Sequence, residues 1–254
     1  MAHYEDNKWP SWLQYLDTID STNNYAMQRV EDGMAHAGEV IWAARQFAGR
    51  GQRNNHWLDS PDNLKMSLII TPQIPADRQF ELSALVALTL AQYLQQLKED
   101  WQVAIKWPND IYINDKKACG VLIDNLFRGM AWNYSIIGIG LNVNQDLIPE
   151  SLNRATSLFL ESGCRYDLFE LVNDLRSGLL NRLRAYQLKD VEQLMSNYNH
   201  LLYGRNKEVC FRKRDNQQLF EAFVQEVDAS GNIVLLTYKG IERYTFGTLE
   251  WVFQ

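Results

Sequence analysis

Asp110-Ile111-Tyr112-Ile113-Asn114-Asp115-Lys116-Lys117-Ala118-Cys119-Gly120-Val121-Leu122-Ile123-Asp124 is the stretch that decides the fold. It holds two β-prone runs, Asp110 to Asn114 and Cys119 to Asp124, joined through Asp115 and Lys116. So short a connection sends the chain back beside itself, because parallel strands need a crossover of about a dozen residues or more. The sheet that contains this hairpin cannot be purely parallel. The sequence therefore predicts an α+β fold, a mixed β-sheet with packed helices, and not a Rossmann fold.

Further β-rich runs flank the hairpin: Val40 to Ala44, Met66 to Thr71, Gln102 to Lys106 and Trp132 to Ile139. Two stripes at three- and four-residue spacing predict amphipathic helices. One runs through Leu82, Leu85, Val86, Leu90, Tyr93, Leu94 and Leu97; the other through Leu168, Leu171, Val172, Leu175, Leu179 and Leu183, with Asp167 as its N-cap. After Tyr203-Gly204 the pattern becomes short strands and turns: Glu208 to Arg212, Leu219 to Val227, Ile233 to Tyr238 and Arg243 to Phe246, with turns at Ser230-Gly231-Asn232 and near Gly240. This suits a small β-barrel. The 254 residues fit one large and one small domain at roughly 150 residues per domain, and the expected division is 1–203 and 204–254.

Composition removes several function classes. With 46% hydrophobic and 22% charged residues, the chain is neither disordered nor fibrous. The 31 acidic and 25 basic side chains give a formal charge of −6, which argues against a general nucleic-acid binder. Cys119, Cys164 and Cys210 are odd in number and scattered, so neither a disulfide framework nor a zinc site is indicated. Met1 to Pro10 has no basic and apolar leader pattern, and no apolar run reaches the ~20 residues needed to span a bilayer. A cytoplasmic location without membrane attachment is expected.

Five segments carry candidate chemistry. Gly49-Arg50-Gly51-Gln52-Arg53-Asn54-Asn55-His56-Trp57 combines a pliant backbone with forked positive charge, suited to wrapping an anion and ordering over it; a solvated basic turn is the plainer account. Lys106-Trp107-Pro108-Asn109-Asp110 ends a strand in a cation and then presents an amide and a carboxylate. Lys106 could neutralise phosphate, Asn109 orient a nucleotide, and Asp110 support a metal or take a proton; an ordinary Asn-Asp turn explains the same residues. Lys116-Lys117-Ala118-Cys119-Gly120 sets lysine beside small residues. Gly138-Ile139-Gly140-Leu141-Asn142 leaves room for a ligand to approach a strand backbone. Asp20-Ser21-Thr22-Asn23-Asn24 reads as a helix N-cap whose hydroxyls could also hold a small polar group.

In order and composition these segments resemble the biotin protein ligases. The resemblance runs through Ser21-Thr22-Asn23, Gln46, Gly49 to Trp57, Lys106 to Asp110, Lys117 to Gly120, Gly138 to Asn142 and Ala155-Thr156-Ser157-Leu158. It implies a catalytic domain of the class II aminoacyl-tRNA synthetase and biotin ligase type, and a small C-terminal SH3-like β-barrel. The implied activity is formation of biotinyl-5′-AMP from biotin and ATP, with Mg²⁺ accompanying ATP, followed by transfer to a lysine of a biotin carboxyl carrier protein or domain. By that resemblance Lys106, Lys117 and Arg50 are catalytic. Ser21, Thr22, Asn23, Gln46, Gly49, Arg50, Gly51, Gln52, Lys117 and Gly120 hold biotin. Arg53, Trp57, Lys106, Asn109 and Asn142 hold ATP, and Asp110 is the candidate Mg²⁺ ligand.

Gln52, Asn54 and Asn55 stand where many members carry a further arginine and glycine, which lowers the loop's charge. Only 20 residues precede Ser21, too few for the DNA-binding domain of repressor-type members, so no DNA binding is expected. The sequence leaves the oligomeric state, homodimer or otherwise, open. The rival readings are a lipoate ligase or octanoyltransferase on the same scaffold, and a non-catalytic nucleotide-binding module.

Overall fold

In the computed structural model, which describes residues 9–52, 57–152 and 154–253, Asn114 and Asp115 make the decisive turn, both with positive φ (49° and 65°). Side chains tolerate that region poorly except for Asn and Asp, and two successive positive φ values suit the tight turn of a hairpin. The turn thus sits one residue earlier than expected. Lys116 is already in the following strand.

The elements follow in this order: β1 (Leu13–Ile19), α1 (Thr22–Glu31), β2 (Val40–Gln46), β3 (Leu64–Ile70), α2 (Gln79–Leu97), β4 (Val103–Lys106), β5 (Asp110–Ile113), β6 (Lys116–Arg128), β7 (Ala131–Leu141), α3 (Leu158–Ser162), α4 (Leu168–Ala185), α5 (Val191–His200), β8 (Glu208–Lys213), β9 (Leu219–Val227), β10 (Ile233–Thr237), β11 (Gly240–Tyr244) and β12 (Leu249–Val252). The fold is α+β, as the hairpin argument requires. Both long helices form where the leucine stripes place them. Asp167 caps α4, its Oδ1 accepting from the amides of Phe169 (2.8 Å) and Glu170 (3.0 Å).

The chain divides into two units, Met1–Ala76 with Lys116–Asn181, and Asp77–Asp115 with Arg182–Gln254. In the first, the strand order is β1-β2-β3-β7-β6. β1 runs parallel to β2, and the other pairings are antiparallel, so the sheet is mixed. β3 is central and all seven of its residues are buried. α1 lies across it, presenting Ala26 and Val30 to Ile41, Ile69 and Ile136. That i, i+4 pair puts one helical face on the sheet, and each buried aliphatic side chain contributes about 1.5–3 kcal/mol. At the start of the chain, Trp9 meets Tyr15, Trp42 and Phe169 with ring centroids 5.0–5.4 Å apart.

In the second unit, β4 and β5 form an antiparallel hairpin that pairs Lys106 with Asp110, and α2 packs on both strands and on α5. Glu81, buried in the first turn of α2, is paired with Arg78 and accepts from the Tyr186 hydroxyl at 2.6 Å. The C-terminal strands form an antiparallel sheet of order β11-β10-β9-β8-β12 around buried Phe211, Val224, Ile233, Leu235 and Trp251. β12 continues the strand pattern past Phe246, where the sequence reading stopped.

Candidate functional site

In the first unit, polar side chains converge where α1 meets the sheet. Ser21 occupies the N-cap with extended backbone, but its hydroxyl makes no capping bond. Instead the Thr22 amide donates to Gln46 Oε1 at 2.7 Å, which ties the start of α1 to the end of β2. Ser67 Oγ, in the middle of β3, is 2.6 Å from Asn23 Oδ1 and 2.8 Å from Thr22 Oγ1. One hydroxyl proton serves one acceptor, so Ser67 donates to Asn23 and accepts from Thr22. Asn23 Nδ2 donates to Asp124 Oδ2 (2.9 Å) and the Leu122 carbonyl (3.3 Å) on β6. Ser21, Thr22, Asn23, Gln46 and Ser67 are all buried. These hydrogen-bonding groups are therefore held in fixed orientation, as recognition of a small polar ligand requires.

The glycines of β6 and β7 make this arrangement possible. A Cβ on Gly138 would lie 2.2 Å from Asn23 Oδ1. Gly120 and Gly140 face each other across the two strands, and the Trp57 indole lies on them. Added Cβ atoms there would come within 2.9 and 2.5 Å of the ring, respectively. Lys117 Nζ stands 5.6 Å from the same indole, within cation–π range. The strand backbone is thus closely approached, as the glycine pattern predicts, but by the chain's own Asn23 and Trp57.

Lys117 is held by its backbone. Its amide donates to the Arg154 carbonyl (2.7 Å), and its carbonyl accepts from the Thr156 amide (2.9 Å). Residues 154–156 therefore act as a short parallel strap beside the lysine. Asn142, just after β7, donates through Nδ2 to the Thr156 carbonyl (2.9 Å) and accepts at Oδ1 from Asn63 Nδ2 (3.2 Å). Trp57, Lys117 and Asn142 line one cavity of about 140 Å³, closed by Leu58, Gln145, Ile148, Leu152 and Ala155. Ligand pockets usually span ~300–1,000 Å³. In this conformation the cavity has room for part of a nucleotide-sized ligand.

Arg50 is engaged with protein. Its guanidinium pairs with Asp124 (Nη1 to Oδ2, 3.2 Å; Nη2 to Oδ1, 3.4 Å) and donates to Asn24 Oδ1 at 3.0 Å. An incoming anion must compete with that carboxylate. Gly49 and Trp57 join the two ends of the glycine-arginine loop, the Trp57 amide donating to the Gly49 carbonyl at 3.0 Å. Gly51 and Gln52 follow at partly buried positions. Arg53, Asn54, Asn55 and His56 lie outside the described residues.

Lys106, Asn109 and Asp110 belong to the second unit. Lys106 Nζ stands 5.5–5.7 Å from the rings of Tyr112, Trp251 and Phe253. The turn after it is pinned twice: Trp107 Nε1 donates to the Gly231 carbonyl (2.9 Å), and the Tyr198 hydroxyl donates to the Pro108 carbonyl (2.8 Å). Asn109 is buried within that turn. Burial, and then the Asp110 carboxylate, push the Tyr198 phenol well above its ordinary pKa. Among the described residues, no group of three or more His, Cys, Asp or Glu is placed to hold a metal ion.

Residues 15–142 match the Biotin/lipoate A/B protein ligase family. The chain belongs to that family. The bifunctional ligase/repressor BirA of Bacillus spizizenii is 32% identical over 245 residues, covering 94% of this chain and 73% of the relative. The biotin--[acetyl-CoA-carboxylase] ligase of Paracoccus denitrificans is 34% identical over 129 residues, half of this chain (50%) and 53% of that protein. Among solved structures, the biotin protein ligase from Aquifex aeolicus in complex with biotin and ATP gives a TM-score of 0.80 at 25% identity, over 95% of this chain and 99% of that one. The family match takes in the α1 network, the glycine floor and both lysines. The sequence reading passed over Asp124, Ser67 and Asn63, which fix the orientation of Arg50, Asn23 and Asn142 and carry no motif of their own.

Proposed function

We propose that the chain is an ATP-dependent biotin protein ligase that forms biotinyl-5′-AMP and transfers biotin to a lysine of a biotin carboxyl carrier protein or domain. The observation that carries this reading is the convergence, in one unit, of the buried Thr22–Asn23–Gln46–Ser67 network with Lys117 and Trp57 on the Gly120–Gly140 floor. It fits a ligand with a polar ring head and an anionic end. Ser21, Thr22, Asn23 and Gln46 bind the ureido head, with Gly49, Gly51, Gln52 and Gly120 supplying close backbone around it. Lys117 holds the biotin carboxylate.

In the first step a carboxylate oxygen of biotin bonds to the α-phosphorus of ATP, the bond from that phosphorus to the bridging oxygen breaks, and pyrophosphate leaves. Two anions must meet, so charge neutralisation by Lys106, Lys117 and Arg50 is the main contribution of the protein. In the second step the carrier lysine amine attacks the biotinyl carbonyl, the carbonyl-to-phosphate oxygen bond breaks, AMP leaves, and the amine gives up a proton. Arg53, Trp57, Lys106, Asn109 and Asn142 meet the nucleotide. Mg²⁺ accompanying ATP would offset phosphate charge, and the Asp110 carboxylate would be its protein ligand.

We place the catalytic domain at 1–203 and the SH3-like barrel at 204–254; the five C-terminal strands between Glu208 and Val252 support that division. No helix among the described residues is long and apolar enough to cross a membrane. Three cysteines, odd in number and scattered along the chain, suit a reducing cytoplasm. No DNA partner is proposed, because the net charge is negative.

The deciding experiment incubates a carrier domain with ATP, Mg²⁺ and biotin and weighs it by mass spectrometry. A mass gain of one biotinyl group, absent without ATP, supports the reading. Gain with lipoate and not biotin would move the chain to the lipoate branch of the family. Absence of any adenylate would leave a nucleotide-binding module.

A further inference from the structure

Lys65 is the second residue of β3, between buried Leu64 and Met66, with 1% of its side chain exposed. A lysine in such a slot bears a heavy desolvation cost. Its ammonium has three donors and three acceptors: the Ala44 carbonyl at 2.5 Å, the Ser60 carbonyl at 2.5 Å and Asp59 Oδ1 at 3.2 Å. These come from two places. Ala44 is in β2, two residues before Gln46, whereas Asp59 and Ser60 follow Trp57 on the outgoing arm of the glycine-arginine loop. The same Asp59 Oδ1 accepts from the Gln46 amide at 2.9 Å, and Gln46 Oε1 in turn accepts from Thr22.

Swapping a buried ion pair for apolar side chains is often neutral or stabilising, so fold stability is a weak account of Lys65. Its geometry gives a stronger one. Lys65 touches both β2, at Ala44, and the loop exit, at Asp59 and Ser60, while Asp59 itself reaches Gln46. Two residues of chain span at most about 7 Å, so holding Asp59 limits where Trp57 can go.

We propose that Lys65 and Asp59 are positioning residues, a brace anchored on the buried Lys65 ammonium that sets Gln46 and Trp57 in register for substrate. The proposal rests on the ligase reading above, since it names what the brace positions. Neither residue touches substrate. Without the brace, Gln46 loses the acceptor for its amide and the loop exit loses its attachment to β3. Both the recognition of the ligand head and the seat of the indole on Gly120 and Gly140 then loosen.

The test uses the full chain with Lys65→Met, which keeps an unbranched side chain in an apolar slot, and with Lys65→Met/Asp59→Ala, which also removes the unmatched carboxylate. Both folded variants should lose at least ten-fold in kcat/KM for biotin. Hydrogen exchange at the Gln46 and Thr22 amides, measured without substrate, should quicken at least ten-fold in the double variant. A merely structural role would lower Tm and leave both readouts near wild type. The proposal is overturned if the double variant keeps kcat/KM within two-fold, or if the two amides exchange at the wild-type rate. A wild-type protein that forms no biotinyl-adenylate would sink the ligase reading instead, and the exchange rates would still decide whether the brace exists.

Discussion

Gly140→Ala puts one methyl group where the Trp57 indole lies. The added carbon would sit 2.5, 2.8 and 2.8 Å from Cε2, Cδ2 and Cζ2 of the ring, against an ordinary contact of about 3.5–4.0 Å. Trp57 cannot yield by turning a flexible tip, because the clash is with the fused edge of the ring. Either the indole lifts or β7 shifts. Overpacking of this kind costs ~1–3 kcal/mol. Alanine is also easier to order in a strand than glycine, which returns ~0.5–1 kcal/mol, so about 1–2 kcal/mol of net destabilisation is expected. For a chain of this size that lowers Tm by roughly 2–8 °C. The assay is a double-mutant cycle followed by thermal melting and by biotin-dependent adenylate formation. In a Trp57→Ala background the ring is gone, and Gly140→Ala should become neutral or slightly stabilising. In the Trp57 background it should also impair adenylation, since the indole beside Lys117 is displaced. The same Tm loss in both backgrounds would show that Gly140 is required by something other than Trp57, and the floor argument would fail.

Lys117→Ala should remove the charge partner of the biotin carboxylate, a loss of ~2–5 kcal/mol, or about 30-fold and upward in biotin affinity; calorimetry with biotin alone checks it, and unchanged affinity refutes it. Lys106→Ala should slow the ATP-dependent step more than it weakens biotin binding, which pyrophosphate release and the same titration separate. Tyr198 gives a pH dependence. Its folded pKa lies above the ordinary value of 10.0, so its contribution to stability is full below pH ~10 and falls as pH rises above it, where only the unfolded chain releases the proton. Melting curves from pH 8 to 11 should therefore decline more steeply for wild type than for Tyr198→Phe. Parallel curves would show that the phenol does not carry the effect.

Much of the architecture was legible because it depends on local periodicity. The leucine stripes of α2 and α4 and the existence of a tight turn after Ile113, placed one residue late at Asp115 and Lys116, are properties of a few neighbouring residues. β1 and α5 escaped for a physical reason. β1 is an edge strand whose residues from Gln14 onward are only half-buried or exposed, so its alternation carries little apolar contrast. In α5 the buried face includes Asn199 beside Leu194, Met195 and Tyr198. Asn199 is buried because it bonds both backbone atoms of Val227, accepting from its amide at 2.7 Å and donating to its carbonyl at 2.9 Å. That bond depends on β9, and nothing near Asn199 in sequence announces it.

The candidate site divides along the same line. Spacing alone marked Gly138 and Gly140 as places of close approach, since a missing side chain is a local fact. What fills the space is a long-range fact. Asn23 from α1 and Trp57 from the loop reach those glycines only after the sheet has formed, and Asp124, which holds both Asn23 and Arg50, sits on a strand where the sequence shows an unremarkable carboxylate. The same holds for Lys65, which falls just before the β-run expected at Met66 to Thr71 and carries no signal until its three acceptors are in view. Residues that would contact substrate sit in recognisable local settings, whereas the residues that orient them are defined by partners distant in the chain. A variant that spares every motif, such as Lys65→Met or Asp124→Asn, is therefore expected to damage function through geometry, and a sequence comparison restricted to the motifs would score it as neutral.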